Sequence, residues 1–268
     1  MDRQVICIRW GTKYGADYVN RLYGMVARNI TPPFRFACIT DVSDGLREEI
    51  EVIDLPELGC EMPTGTLGIW GKSRLWAAEL GSLKGPALFI DLDVVITGSL
   101  DGFFEVGAPE DVILARNPNT PFEKMGQTSI FRYPIGGLTD LRAKFWADPQ
   151  GIADEYKFEQ RYVTRNAPGG AKFWPKGWVS LFKWHCVPPL PLNYFQTPKL
   201  PRGTKVVIFP GPLNPPDALA GRWRAKSEHL PPLEHIKAGL RGDRRESLSK
   251  HLRHYLKPAP WIADHWRA

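Results

Sequence analysis

A short apolar run at residues 87–90 ends directly in Asp91-Leu92-Asp93, and this junction constrains the fold more than any other feature of the chain. Four consecutive apolar residues are typical of a strand that is buried on both faces. The end of such a strand places both carboxylates at the carboxyl edge of an α/β sheet, where these sheets bind ligands. The sequence therefore predicts a buried parallel strand with an acidic site at its end.

The rest of the chain alternates between strand and helix patterns. Apolar runs predict further strands at residues 5–8, 34–39, 51–55, 112–115, 129–133 and 206–209. Apolar residues at helical spacing predict helices at residues 17–29, 72–80, 140–146 and 151–164. This order predicts an α/β protein whose mostly parallel central sheet is flanked by helices.

Charge is distributed unevenly along the chain. The net charge is +6, and residues 222–267, with 11 basic and 5 acidic side chains, carry all of it. We therefore predict a first domain over residues 1–221 and a basic helical extension over residues 222–268.

Two interpretations of this extension stay open. Apolar residues recur at near-helical spacing in two groups, Leu233, Ile236, Leu240 and Leu248, Leu252, Leu256. They fit a charged helix packed on the domain, or a helix lying on an anionic membrane. We expect no nucleic-acid partner, because no zinc motif or RNA-binding signature accompanies the charge.

Three further features predict a cytoplasmic protein. Any membrane contact is expected to be peripheral, at the inner face of the cytoplasmic membrane. No apolar run approaches the roughly 20 residues that cross a bilayer. The first residues lead straight into a strand pattern, without the pattern of a secretory signal. Four cysteines without a C-x-x-C pair exclude a zinc cluster or a redox motif of that type.

The D-x-D motif favours a metal–diphosphate site over an exposed turn. A hard divalent ion, Mn²⁺ or Mg²⁺, would bridge Asp91 and Asp93 to a diphosphate and neutralise the charge that grows on that leaving group. A haloacid-dehalogenase-like phosphatase is the alternative enzyme, although about ninety residues precede the motif and no later strand ends in an acidic pair. A nucleotide-binding protein without turnover is the non-enzymatic alternative.

Several motifs together resemble the GT-A glycosyltransferases, notably glycosyltransferase family 8. They are Ile6-Cys7-Ile8-Arg9-Trp10-Gly11, Ile39-Thr40-Asp41, Lys72-Ser73-Arg74-Leu75-Trp76, Asp91-Leu92-Asp93, Gln127-Thr128-Ser129, Glu159-Gln160-Arg161-Tyr162 and, in part, Phe209-Pro210-Gly211-Pro212-Leu213. The resemblance covers nearly the whole chain, and only D-x-D is sharply specific within it.

The resemblance implies an enzyme that moves a sugar from a nucleoside diphosphate, with UDP favoured, to a glycan or lipid-linked acceptor. It implies that Asp91 and Asp93 bind the metal and that Glu159 and Gln160 act at the sugar. It also implies that the remaining donor contacts come from Trp10, Gly11, Thr12, Asp41, Lys72, Asp91, Leu92 and Gln127. A retaining outcome is weakly favoured.

Two departures from the family pattern bear on the site. No histidine stands near Phe209-Pro210-Gly211, so the family's third protein metal ligand is missing or comes from elsewhere. His185 is a candidate replacement, although a structural role is favoured for it. Gln127 stands where the family has Asn, which implies altered sugar contacts.

Overall fold

The structure is a computed structural model that describes residues 3–118, 123–225, 227–241 and 246–268. The chain divides into two compact units: Met1–Leu92, Ser99–Lys176 and Ala268 form the first, and Asp93–Gly98 and Gly177–Arg267 form the second. The boundary predicted between residues 221 and 222 lies inside the second unit. The assignment of residues 1–221 as a catalytic domain stays a prediction.

The elements follow the predicted alternation. The strands are β1 (Arg3–Arg9), β2 (Phe34–Thr40), β3 (Glu51–Asp54), β4 (Pro86–Ile90), β5 (Val95–Ile96), β6 (Ile113–Arg116), β7 (Gly126–Pro134), β8 (Lys172–Phe173), β9 (Val179–Leu181) and β10 (Val206–Ile208). The α-helices are α1 (Ala16–Asn29), α2 (Gly102–Glu105), α3 (Thr139–Ala147), α4 (Pro149–Tyr156), α5 (Glu159–Asn166), α6 (Pro215–Leu219), α7 (Pro232–Leu240), α8 (Leu248–Arg253) and α9 (Trp261–His265).

A seven-stranded sheet forms the centre of the first unit. Its spatial order is β3-β2-β1-β4-β7-β6-β8. Strand β7 runs antiparallel to both of its neighbours, and every other pair in this sheet is parallel. The predicted α/β class with a mostly parallel sheet is therefore confirmed. The central strands β1 and β4 are apolar because both of their faces are covered.

The segment predicted as a helix at residues 72–80 is a 3₁₀ helix, Trp70–Trp76. Its tryptophans are buried in an aromatic cluster: Trp70 stacks on Phe145 of α3 at 5.0 Å between ring centroids, and Trp76 lies 5.7 Å from Tyr162 of α5. This packing fixes the helix against α3 and α5. The segment after it, predicted to be helical, turns away from the helix at Ala77, which has extended backbone.

The helix predicted at residues 151–164 is two helices, α4 and α5. Lys157 separates them with a φ of 64°, which a continuous helix does not tolerate. Asp148 caps α4, since its side chain accepts a hydrogen bond of 2.9 Å from the Gly151 N–H. Glu159 consequently opens a new helix and does not lie in the middle of a long one.

The second unit contains a small sheet and the helical extension. The sheet has the order β5-β10-β9, with β5 antiparallel to β10 and β9 parallel to it. The predicted extension is helical over α7, α8 and α9. Within it Leu256 is 2% exposed and Leu248 and Leu252 are half-buried, so the stripe that these residues form is packed and does not offer a free face. None of the helices in the described ranges combines the length and apolarity that crossing a bilayer requires.

The end of β7 and the turn after it position the 3₁₀ helix. In β7, the Tyr133 hydroxyl donates a hydrogen bond of 2.9 Å to the Leu75 carbonyl. In the turn, Gly136 lies so close to the segment after the 3₁₀ helix that a Cβ on it would be 2.9 Å from the Ala78 carbonyl oxygen. Gly136 has a φ of 78°, a left-handed conformation that favours glycine.

We therefore expect Gly136→Ala to destabilise the protein more than Gly85→Ala. Both positions have a positive φ, but a Cβ on Gly85 would meet no atom within 4 Å. The conformational penalty of about 1–2 kcal/mol is shared, and the clash with backbone adds about 1–3 kcal/mol at Gly136 alone. Urea denaturation at an unchanged m value measures the difference. Equal midpoints for the two variants would contradict this account of the turn.

Candidate functional site

A buried ion pair lies where β4 ends. Lys72 Nζ is 2.7 Å from Asp91 Oδ1 and 2.9 Å from Asp91 Oδ2. Lys72 is buried, Asp91 is half-buried, and the ammonium lies 5.1 Å from the centre of the Phe89 ring. Burying an ammonium beside an aromatic ring is costly unless a carboxylate compensates it, and Asp91 supplies that compensation.

Two elements bring the partners together. Asp91 follows β4, and its N–H donates a hydrogen bond of 2.8 Å to the Ser129 carbonyl of β7. Lys72 comes from the 3₁₀ helix that the aromatic cluster holds in place. The predicted position of Asp91 at the carboxyl end of a parallel strand is confirmed. The contact with Lys72 joins residues that are nineteen positions apart.

A second carboxyl group lies beside this pair. The Thr128 hydroxyl donates a hydrogen bond of 2.9 Å to Glu159 Oε2, and Lys72 Nζ lies 3.5 Å from the Thr128 carbonyl oxygen. Glu159 is 4% exposed, and its Oε1 has no hydrogen-bond partner among the residues that the structure describes. Asp91, Lys72, Thr128 and Glu159 thus form one connected group within the first unit.

The environment of Glu159 raises the pKa of its carboxyl group to about 7. Burial is the main cause, because it disfavours the ionised form, and the charge of Asp91 acts in the same direction. The Lys72 ammonium and the hydrogen bond from Thr128 oppose this rise. The group therefore holds a carboxyl whose charge changes near neutral pH, a property that is common in functional sites.

Trp10 lies next to the helix that carries Lys72. It packs partly buried on the core, and a Cβ on Gly71 would be 3.1 Å from its ring. Glycine at position 71 is what lets the indole approach the 3₁₀ helix so closely. Of the donor-binding residues predicted from the first strand, Trp10 is therefore placed beside the ion pair's helix.

Three further predicted donor residues, Gly11, Thr12 and Asp41, follow strands and are exposed. Gly11 follows β1 with a φ of 64°, and Thr12 comes next to it in the same exposed turn. Asp41 follows β2, and its charge acts on Arg74, whose guanidinium pKa is lowered by burial and raised by Asp41. The donor-binding role that the resemblance implies for these three residues stays a prediction.

Three predicted residues are on elements adjoining the group. Gln127 is buried on β7, one residue before Thr128, and Leu92 is buried directly after Asp91. Gln160 follows Glu159 in the first turn of α5 and is half-buried.

The predicted metal ligands divide between the units. Asp91 belongs to the first unit, and Asp93 is the first residue of the second. Within the described ranges no three His, Cys, Asp or Glu side chains are arranged to hold a metal ion. His185 has a structural role: its Nδ1 accepts a hydrogen bond of 2.9 Å from the Leu181 N–H, and burial lowers its pKa.

Sequence reasoning missed two features of the group. It gave Lys72 only as a donor contact, whereas Asp91 compensates the positive charge of Lys72 directly. It did not single out Thr128 as the partner of Glu159. Thr128 lies before the strand predicted at residues 129–133, so the strand pattern carried no signal for its contact with Glu159.

The fold was compared with those of known proteins. No protein-family model and no curated protein sequence matches the chain. Among solved structures, the galactosyltransferase LgtC, determined in complex with donor and acceptor sugar analogs, is similar over 83% of this chain and 90% of its own, with 15% identity and a TM-score of 0.59. The fold is that of the GT-A glycosyltransferases.

Two further glycosyltransferase structures share the fold. GlyE from Streptococcus pneumoniae TIGR4 is similar over 100% of this chain and 66% of its own, with 12% identity and a TM-score of 0.56. The bifunctional glycosyltransferase WbbM is similar over 80% of this chain and 46% of its own, with 12% identity and a TM-score of 0.53. The predicted resemblance to GT-A glycosyltransferases is confirmed at the level of the fold.

The pKa of Glu159 predicts how stability depends on pH. The folded-state pKa of about 7 exceeds the ordinary value of 4.5, so the protonated carboxyl favours folding. That contribution is complete below about pH 4.5 and is lost as the pH rises through 7. Glu159→Gln, which keeps an acceptor for the Thr128 hydroxyl, should therefore become more stable than the wild type above pH 7. The gain in unfolding free energy should be on the order of 1.4 kcal/mol for each unit by which the folded-state pKa of Glu159 exceeds its ordinary value.

Unfolding free energies measured by urea titration at pH 5 and pH 8.5 test this expectation. Glu155→Gln, at an exposed position of α4, is the matched control and should follow the wild type. If the unfolding free energy of Glu159→Gln changed between the two pH values as much as that of the wild type, the raised pKa of Glu159 would be contradicted.

Proposed function

We propose that this chain is a glycosyltransferase that moves a sugar from a nucleoside diphosphate, UDP being favoured, to a glycan or lipid-linked acceptor. The observation that carries the proposal is the Lys72–Asp91 pair at the carboxyl end of β4, next to the buried Glu159. Ligands of open α/β sheets bind at such strand ends. The GT-A fold supports the same reading, since LgtC was solved with donor and acceptor sugar analogs.

The donor would lie across the ends of the first strands. We assign the base to Trp10, Gly11, Thr12 and Asp41, since an aromatic face and a carboxylate suit stacking and hydrogen bonding. Gly11 leaves open space where a side chain would stand.

The diphosphate end of the donor would lie near Lys72 and Leu92, and the sugar near Gln127. Lys72 contributes a positive charge that is held in place before any ligand binds. A charge fixed in advance stabilises the negative charge of a departing diphosphate without reorganisation.

The carboxylates fit a hard divalent cation that arrives with its diphosphate. Asp91 and Asp93 offer oxygen ligands, which Mn²⁺ and Mg²⁺ prefer, and with only these two side chains the diphosphate and water would complete the coordination. When bound, the ion supplies further neutralisation of the leaving group. The Lys72 ammonium contacts the same Asp91 carboxylate, so it would neutralise part of the diphosphate charge together with the ion.

Glu159 and Gln160 are proposed to act at the sugar. Glu159 lies buried under Thr128, which suits an electrostatic role towards a positively charged, oxocarbenium-like centre better than direct attack. Gln160, half-buried beside it, offers a neutral amide to the sugar. In the reaction the acceptor oxygen would bond to the anomeric carbon, the bond to the diphosphate would break, and an oxygen of the departing diphosphate would take up the proton of the acceptor hydroxyl. A retaining course is the favoured one.

A cytoplasmic enzyme of polysaccharide biosynthesis is the setting that fits this reaction, with contact to an anionic membrane where the acceptor is lipid-linked. A nucleotide-binding protein without turnover is the second candidate, because the same strand ends would bind the nucleotide alone. The similar structures LgtC, WbbM and GlyE are glycosyltransferases, which favours sugar transfer over the phosphatase alternative. Turnover of a donor distinguishes the first two candidates.

The test is a screen of UDP-, GDP- and CMP-sugars with Mn²⁺, in which release of the free nucleotide is measured. We expect turnover with at least one UDP-sugar. Asp93→Asn should fold normally and lose on the order of 10²- to 10³-fold in rate, the loss typical of removing one preorganised charge stabiliser. Asp140→Asn, at an exposed position of α3, is the matched control and should retain full activity.

Two results would count against the proposal. Binding of UDP without turnover of any sugar donor would favour the nucleotide-binding alternative. Full activity of Asp93→Asn would show that this carboxylate does not bind the metal.

A further inference from the structure

A set of large apolar side chains in the second unit faces solvent. Leu233 is 72% exposed and Leu240 65%, and Ile236 is also exposed, on one side of the nine-residue helix α7. Spacings of three and four residues place all three on a single helical face. Leu190, Leu192 and Phe195, the last 74% exposed, lie in the segment before β10. We call these six residues the docking face.

The two parts of the docking face are held together from beneath. The Tyr194 hydroxyl is 2.9 Å from Nδ1 of His235, which is on the inner side of α7. Tyr194 also stacks on Tyr255 at 4.3 Å with parallel rings, and the Asn193 amide donates hydrogen bonds to the Leu252 and Tyr255 carbonyls. The segment that carries Leu192 and Phe195 is thereby fixed to the helices of the extension.

The packing of α7 determines which of its faces is outside. The His235 ring stacks on His251 of α8 at 4.1 Å, and a Cβ on Gly239 would be 2.5 Å from the His251 ring. Close approach through His235 and Gly239 places that side of α7 against α8. Among the described residues of the second unit, none covers the side with Leu233 and Leu240, which stays exposed.

Charge indicates which partner covers the docking face. Lys237 is exposed and lies four residues after Leu233 on α7, so it adjoins the apolar stripe. The exposed Arg241 directly follows the helix. Glu234 is the acid of this helix, and residues 222–267 carry 11 basic against 5 acidic side chains. An anionic bilayer combines an apolar interior with a negative surface and needs no shape complementarity, which suits leucine and phenylalanine side chains flanked by basic ones.

We propose that the docking face binds the surface of an anionic membrane, with α7 lying in the interfacial plane. The apolar stripe predicted from the sequence at Leu248, Leu252 and Leu256 is packed and is therefore not the membrane-binding surface. The exposed residues of α7 and of the segment around Phe195 are that surface in this proposal. The proposal extends the lipid-linked acceptor of the proposed function, but its test uses neither donor nor acceptor. A failure of membrane binding is therefore distinguishable from a failure of the proposed sugar transfer.

Sedimentation with vesicles tests the proposal on the full chain. Vesicles of phosphatidylcholine with phosphatidylglycerol should bind the wild type reversibly. Binding should be weaker at about 0.5 M salt than at about 0.1 M salt. The double variant Leu233→Ala/Leu240→Ala should bind at least about tenfold more weakly, since each leucine loses apolar contact area. Lys237→Gln should weaken binding about fivefold, as expected for one basic residue at a charged surface.

Leu67→Ala is the matched control, because Leu67 is 82% exposed but belongs to the first unit. It should bind vesicles as the wild type does, and circular dichroism should show all variants folded. Equal binding of the double variant and the wild type would overturn the proposal, as would equal binding to vesicles of phosphatidylcholine alone or none to either kind. A dimer seen by light scattering that the double variant abolishes, without vesicle binding, would assign the face to a second copy of the chain.

Discussion

The ion pair between Lys72 and Asp91 is the interaction on which the candidate site depends. A buried ammonium is tolerated only with a partner, and the half-buried carboxylate of Asp91 is that partner. Each residue therefore fixes the other, and both are fixed by packing, Asp91 through β4 and β7 and Lys72 through the tryptophans of the 3₁₀ helix. The pair has no net charge, but it gives the carboxyl end of the sheet a positive and a negative group at fixed positions before any ligand is bound.

Glu159 adds a second carboxyl to this arrangement without adding a full second charge. Two ionised carboxylates beside one ammonium would leave a net negative charge in a buried place, and desolvation raises the Glu159 pKa to about 7 instead. Ligands that bring positive charge would favour its ionised form, and ligands that bring negative charge its protonated form. If the site binds a diphosphate and a cation as proposed, uptake or release of one proton at Glu159 would adjust the charge of the site to them.

The sequence predicted the parts of this site that local pattern determines. The run before Asp91 is apolar because β4 is buried on both faces, so its strand character and its end were readable. The contact of Lys72 with Asp91 was not, because it depends on how a 3₁₀ helix packs against α3 and α5. The same limit applies to the extension, where Leu233, Ile236 and Leu240 have the same near-helical spacing as Leu248, Leu252 and Leu256. Periodicity identifies an apolar stripe, and only the tertiary contact of His235 and Gly239 with His251 decides which stripe is exposed.

The most direct test of the central claim is a crystal structure of the protein with UDP and Mn²⁺, with anomalous scattering used to locate the metal. The account predicts an anomalous peak bonded to carboxylate oxygens of Asp91 and Asp93, with the diphosphate beside Lys72 and the base near Trp10. A nucleotide bound at another edge of the sheet, or a metal peak remote from both aspartates, would contradict it.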